Sequence, residues 1–220
     1  MSEVIVFGDK ELAEIAHFYL THDSDYQVMA FTVDQKYLKN NTLAGLPIVP
    51  FEQVQSIYPP DKYKMIVPLS YKEMNEIRAK KYYEAKRKGY SLISYVSTKA
   101  ITWPGLTIGE NCFIYENNVI QPYVKIGNNV ILWSGNHVGH HSTIDDHCFL
   151  ASHIVVSGGV HIEPYCFIGV NATLRDHITI GAHSLIGAGA LIMKDVGPRS
   201  VYSSDEAKKA AVTSDRLRRI

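Results

Sequence analysis

The chain has 220 residues, enough for one large domain or two small ones, and its 22 Lys and Arg are balanced by 22 Asp and Glu. That balance leaves no global field to attract nucleic acid or a membrane surface. No apolar run approaches the ~20 residues of a membrane span and no basic region leads into a signal core, so a cytoplasmic protein is expected.

Residues 1–98 alternate strand-like and helix-like patterns. Residues 4–7 form a short apolar run ending at Gly8, and Leu12, Ile15, Ala16, Tyr19 and Leu20 follow at helical spacing. Residues 26–33 read as a second strand ending in Asp34, and 65–69 as a third, bounded by Ser70. A long charged helix is expected over 71–89 with Gly89 as its stop, then a fourth strand over 91–96. This alternation predicts a small parallel α/β (Rossmann-like) domain, and such sheets bind ligands outside the carboxyl ends of their strands. Gly8, Asp9, Lys10, Asp34 and Ser70 all fall at such ends. The segment 8–13 carries one Gly where a dinucleotide fingerprint needs three, which argues against a nicotinamide cofactor. Gly8 then marks either a structural turn or a place where a ligand approaches the backbone.

Residues 99–107, with Trp103, Pro104 and Gly105, read as a junction and a first, imperfect repeat. From position 108 to position 192, fifteen aliphatic residues stand six apart without a miss. Six is the period of a hexapeptide β-solenoid, not of a helix or an isolated strand. Two residues earlier the side chains are mostly small or apolar, among them Cys112, Val124, Val130, Cys148, Ile154, Cys166 and Ala172. Positions i and i−2 share one side of a strand, so both sets point into one lumen. Gly109, Gly127, Gly139, Gly169, Gly181 and Gly187 follow the aliphatic residue where the chain turns. The expected fold of 99–204 is a triangular prism of parallel β-coils, three hexads per turn and about five turns. The three cysteines are expected as buried lumen residues, and 205–220, rich in Lys and Arg at helical spacing, as a tail or capping helix.

Eight of the ten histidines lie between positions 137 and 183. His141, His147, His153, His177 and His183 each stand three after an aliphatic position, at an outward corner, whereas His140 stands two after Val138. They read as exposed corner residues without a role, as a metal site, or as a general base. His141 and His177 are two coils apart, ~9–10 Å, too far to share a metal within one chain, and no adjacent coils stack two histidines. No metal is therefore expected. The segment 136–142 sets two imidazoles just after a Gly corner, and imidazole is the side chain suited to a base near neutrality. Tyr115, Trp133 and Tyr123 occupy outward slots and are expected to form a contact surface.

Taken together, the opening run 4–8, Asp34, the segment Gly139-His140-His141-Ser142, the run 167–172 and the run 186–190 give the chain its family character. It resembles the two-domain sugar acyltransferases of the sialic-acid O-acetyltransferase and bacillosamine N-acetyltransferase type over nearly its whole length. The resemblance implies a left-handed parallel β-helix, a homotrimer and acetyl-CoA as acyl donor. It makes His140 the catalytic base. The neighbour of that base is often acidic in the family; here it is His141, an orienting neighbour, with Asp145 or Asp146 as other candidates for the acidic role. Acyl-CoA would lie along a groove between subunits near Gly158, Gly169, Val170 and Gly187, with His153 and Asn171, eighteen apart and therefore stacked, facing the same groove. The N-terminal domain would hold a nucleotide-linked sugar near Gly8, Asp9, Lys10, Asp34 and Ser70. The family's final Gly-x-Pro-Ala-Lys stretch is replaced by residues 203–208 of different sequence.

The leading expectation is N-acetylation of a nucleotide-linked amino sugar for polysaccharide synthesis, by direct transfer with the Gly158 N–H at the oxyanion. Sugar or sialic-acid O-acetylation is the alternative within the class. A zinc-dependent hydratase on the same fold and a non-catalytic ligand-sensing module are the alternatives outside it.

Overall fold

The computed structural model describes residues 2–207 together with Lys209, Ala211 and Arg216. The expected capping tail therefore lies for the most part outside the described residues.

The N-terminal part is a five-stranded sheet built on β1 (Ser2–Phe7), whose apolar run is continuous because both of its faces are covered. Val4 and Val6 pack with Ala13, Ala16 and Leu20 of α1 (Glu11–His22), while Ile5 and Phe7 join a second cluster. β1 pairs in parallel with β2 (Tyr26–Val33). An antiparallel hairpin, β3 (Thr42–Leu43) and β4 (Leu46–Pro50), extends the far side of β2. The sequence pattern did not announce this hairpin, whose strands are short and interrupted by Pro47. After the single turn α2 (Val54–Ile57), β5 (Lys64–Ile66) closes the other edge, giving the order β3-β4-β2-β1-β5. The charged helix is shorter than expected: α3 spans Glu76–Arg87, because Glu73, Met74 and Asn75 adopt left-handed backbone at φ 51°, 50° and 69°.

The segment 91–96, expected as a fourth strand of that sheet, instead crosses between the two halves. Leu92 bridges Met65, but β6 (Tyr95–Val96) pairs with Phe113–Ile114 of the solenoid.

From residue 107 onward the chain is a left-handed parallel β-helix of two-residue strands, each pairing with the strand eighteen residues away, save the last, Val201–Tyr202, which pairs with Leu185–Ile186 sixteen away. Three flat faces result. Face 1 carries Phe113–Ile114, Ile131–Leu132, Phe149–Leu150, Phe167–Ile168, Leu185–Ile186 and Val201–Tyr202. Face 2 runs from Val119–Ile120 through His137–Val138 to Leu191–Ile192, and face 3 from Thr107–Ile108 through Thr143–Ile144 to Thr179–Ile180. The aliphatic register and the residue two before it fill one buried, mostly apolar lumen, with all three cysteines fully buried and unpaired.

The phase of the histidines has a backbone cause. From Ile108 to Ile186, each residue three after the aliphatic position has positive φ, among them Asn111 (56°), Asn129 (57°), His141 (59°), His147 (66°) and Asn171 (58°). Asn and His are enriched among non-Gly residues that tolerate this region. At the slot just after the aliphatic residue the coils nearly touch: a Cβ on Gly139 would lie 2.6 Å from the Gly158 nitrogen.

The N-terminal domain sits on face 1. Tyr19 of α1 packs edge-on against Tyr115 at 5.1 Å, and Tyr115 stacks on Trp133 at 4.5 Å. Tyr115 is thus buried in the seam between the halves, and Trp133 packs against the same cluster, so neither forms the outer contact surface expected for them. Tyr123, at the opposite corner, stays exposed.

Candidate active site

The carboxyl ends of β1, β2 and β5 open into a cavity of about 560 Å³. Gly8, Asp9, Lys10, Asp34 and Ser70 all line it, together with Lys39, Lys72 and Lys81. Gly8 has φ 128°, which a side chain rarely adopts, and a Cβ there would press on Ala13 at 3.1 Å. The first turn of α1 begins at Lys10 without a side-chain cap, and Glu11, Leu12 and Ala13 form part of the wall. A helix start of this kind offers unpaired N–H groups to an anion. Asp34 accepts a hydrogen bond from Lys81 Nζ at 2.6 Å, and Lys81 also pairs with Glu84 at 2.5 Å. Burial alone would lower the Lys81 ammonium, but the two carboxylates hold it above the ordinary lysine value.

A second group lies at the corner between faces 2 and 3. The His140 N–H donates to Gln121 Oε1 of the coil below at 2.9 Å, which fixes the backbone. His140 Nδ1 stands 3.1 Å from His141 Nδ1. The His141 ring in turn packs on Tyr123, 4.7 Å between centroids. The other edge of the His140 imidazole rests on the coil above: a Cβ on Gly158 would fall 2.7 Å from Cε1 and 2.8 Å from Nε2. Among the described residues, no acceptor takes the Gly158 N–H. Neither candidate acid reaches His140, because Asp145 binds His161 Nε2 at 2.7 Å and Asp146 accepts from the Asn128 N–H at 2.7 Å.

The other residues expected around the acyl donor lie elsewhere. His153, Gly169, Val170, Asn171 and Gly187 occupy the corner between faces 1 and 2, where the Asn171 N–H donates to Ser152 O at 3.1 Å and Val170 is exposed. Within one chain, then, Gly158 and His140 lie along one edge of face 2 and the remaining five along the other.

His147, grouped by its phase with exposed corner histidines, is buried against the N-terminal domain. Its Nε2 meets Tyr83 Oη at 3.1 Å and its Nδ1 meets Asn129 Nδ2 at 2.8 Å. Burial pulls its pKa down to about 4, the Arg78 charge adding to the fall and Asp146 opposing it. Gln121, Lys81 and Arg78 escaped the sequence reading, since each acts on a partner far along the chain and none belongs to a local motif.

The repeats match the family model of bacterial transferase hexapeptides (six repeats) over residues 105–140 and 159–194. No curated protein matches the chain. Among solved structures, a histidine-to-asparagine variant of perosamine N-acetyltransferase from Caulobacter crescentus, in complex with CoA and GDP-perosamine, is similar with a TM-score of 0.81. Its identity is 21%, over 93% of this chain and 94% of that one. WeeI from Acinetobacter baumannii AYE gives a TM-score of 0.71 at 20% identity, covering 93% and 97% of the two chains. The acetyltransferase domain of PglB from Neisseria gonorrhoeae FA1090 gives 0.63 at 20%, covering 96% and 100%. The chain therefore has a hexapeptide-repeat β-helix fold. More particularly, it has the two-domain fold of these sugar N-acetyltransferases, with the α/β unit ahead of the solenoid.

Proposed function

We propose that the protein is an acetyl-CoA-dependent N-acetyltransferase for a nucleotide-linked amino sugar, working by direct transfer with His140 as general base. The observation that carries this reading is the placement of the His140 imidazole between His141 and Gly158. With a hydrogen on His140 Nδ1 donated to His141, Nε2 is left as the free acceptor. The sugar amine attacks the thioester carbonyl while Nε2 takes the amine proton. The oxyanion is met by a backbone donor such as the Gly158 N–H, and the thiolate leaves and recovers the proton as CoA thiol. His141 shares the charge that His140 acquires, which is the role an acidic neighbour would otherwise fill. The lumen cysteines face away from solvent, so no covalent intermediate is needed.

The cavity of the N-terminal domain suits the nucleotide. Lys10, Lys39, Lys72 and the start of α1 can meet its phosphates, and Asp34 offers an acceptor beside Lys81. CoA and GDP-perosamine bound to the Caulobacter relative support both halves of the proposal.

A homotrimer goes with this reading for a geometric reason. In a triangular prism the edge shared by faces 2 and 3 lies opposite face 1, which carries the N-terminal domain. The cavity and the base of one chain are thus on opposite sides of the prism, and the donor residues are divided between two edges. Setting the His140 edge of one copy against the His153 edge and the N-terminal domain of the next brings the parts together. Face 2 presents exposed Val155 and Leu191 for such a contact. Among the described residues no helix is long and apolar enough to cross a membrane; a cytoplasmic setting goes with substrates made there.

The test is a panel of uridine-, thymidine- and guanosine-linked amino sugars, each beside its amine-free counterpart, incubated with acetyl-CoA while free thiol is followed. Thiol release with none of them above the hydrolysis blank sinks the reading. Release only with sugars that lack the amine points to O-acetylation instead.

A further inference from the structure

The corner between faces 3 and 1 differs from the other two in being covered. Its left-handed residues Asn111, Asn129, His147 and Tyr165 stack from coil to coil. Among the described residues, no backbone N–H donates to the carbonyls of Asn129, His147 or Tyr165. At an open corner water satisfies such groups. Here α3 lies over them, and a buried carbonyl without a donor costs roughly 1–3 kcal/mol.

Side chains at the start of α3 supply the missing donors. Arg78 Nη2 donates to His147 O at 2.9 Å and Cys148 O at 3.0 Å, and with Nε it reaches Asn129 O at 3.3 and 3.4 Å. Asn75 Nδ2 covers the next coil, donating to Tyr165 O at 3.3 Å and Cys166 O at 3.2 Å. One coil below Asn129, the main chain of Val67 exchanges two hydrogen bonds with the Asn111 amide. Four successive coils are thus each gripped by the N-terminal domain.

Arg78 itself is unusual. It is fully buried and, among the described residues, has no carboxylate partner. Burial brings its pKa down to about 10, which still leaves it charged at neutral pH. Taking a lone charge out of water is costly, and mere packing at this place does not require one. The planar fork does something an apolar residue cannot. While Nη2 grips the coil, Nη1 turns the other way to Ser70 O at 3.2 Å, Leu69 O at 3.4 Å and Asn75 Oδ1 at 2.9 Å. Leu69 and Ser70 are wall residues of the nucleotide cavity. His147, held by the other arm, belongs to the same coil as His140 and His141, one hexad further on.

We propose that Arg78 is a positioning residue that fixes the cavity wall to the coil carrying the catalytic corner. It sets the height at which the nucleotide-linked substrate is presented. In a threefold assembly whose axis runs along the prism, equal coils lie at equal heights in every copy. Fixing the wall against its own His147 then fixes it against the neighbouring base as well. The proposal rests on the acceptor reading given above.

The experiment uses the full-length protein and compares Arg78→Lys and Asn75→Ala with the parent. Lysine keeps the charge but is a point donor that cannot address both arms. Calorimetry with UDP, GDP and CoA gives the affinities, and steady-state kinetics give KM for each substrate. For Arg78→Lys, the dissociation constant of the nucleoside diphosphate and KM of the nucleotide sugar should rise on the order of tenfold. The CoA values should stay within about twofold. Asn75→Ala, which keeps the guanidinium, should show a smaller rise on the same side only, and it decides the matter if Arg78→Lys does not fold. A fall in Tm with both affinities preserved, or equal losses for nucleotide and CoA, overturns the proposal. A parent protein that binds a nucleoside diphosphate but transfers no acetyl group removes the functional reading, and the binding ratio still judges Arg78. A parent that binds no nucleoside diphosphate overturns both.

Discussion

His140 and His141 face each other Nδ1 to Nδ1 at 3.1 Å, so one nitrogen carries the hydrogen and the other must be free to accept it. Both imidazoles are exposed, and neither contributes to the lumen. His140→Ala or His140→Asn should therefore lower kcat by roughly 10²–10⁴ while leaving the fold intact. His141→Ala should fall less, because the base survives and only its orientation and charge sharing are lost. His141→Glu, which supplies an acid, should keep more activity than His141→Ala. Steady-state rates across pH 6–9 check the order. Near-full activity of His140→Ala would mean that positioning alone drives transfer to an amine already deprotonated.

Two glycines one coil apart should respond differently to the same methyl group. In Gly158→Ala the atoms nearest the new Cβ belong to the imidazole of His140, a side chain that can swing away, so stability should change little while kcat falls. In Gly139→Ala the Cβ meets backbone of the next coil at 2.6 Å, which cannot yield without parting the strands. Its melting temperature should drop well below that of the Gly158 variant. Equal effects of the two on stability would contradict the arrangement of the corner.

Ile144 is fully buried in the apolar lumen, with Ile126 and Ile162 as its strand partners below and above. Ile144→Asp places a charge there with no partner, at a cost of several kcal/mol or more. The variant should fail to give the parent's cooperative unfolding transition by circular dichroism. A folded variant of unchanged Tm would show that this part of the lumen admits water.

His147 gives the folded state a dependence on acidity of definite sign. Its pKa is about 4 when folded against 6.5 unfolded, so between these values the unfolded chain binds a proton that the folded chain refuses. The stability tied to this site is whole above pH ~6.5 and declines as the pH falls toward 4, by an amount on the order of 3 kcal/mol. Below that the folded state takes the proton too and the loss levels off. His147→Gln should flatten the Tm profile between pH 6.5 and 4, and an unchanged slope there would assign the effect to other groups.

The solenoid was legible because its evidence repeats: each lumen position, such as Val138, Val156 and Leu174, states the same constraint again. The five cavity residues were legible in kind, since Gly8, Asp34 and Ser70 stand at strand ends and a parallel sheet collects such ends on one side. The rest turned on meetings that no local pattern records. Tyr115 and Trp133 look like surface aromatics until α1 is laid over them, and His147 shares its phase with the exposed His141 yet lies under α3. Segment 91–96 has a strand pattern, but only the pairing of Tyr95 with Phe113 shows which sheet receives it. Arg78 sits in a helix dense with Lys and Glu, and nothing in that helix distinguishes the cation that is fully buried.

Each hexad carries the chain through a third of a circle, so a side chain has an address given by its number counted in eighteens. A genetic deletion of six residues between Asn111 and His140 would preserve every lumen position and still form coils. It would also swing the His140 edge round by one face relative to the domain anchored at Asn111. A deletion of eighteen would keep the edge and lower it by one storey. The length of this stretch is therefore held in whole turns by where its edges must point, even though any multiple of six would satisfy the core.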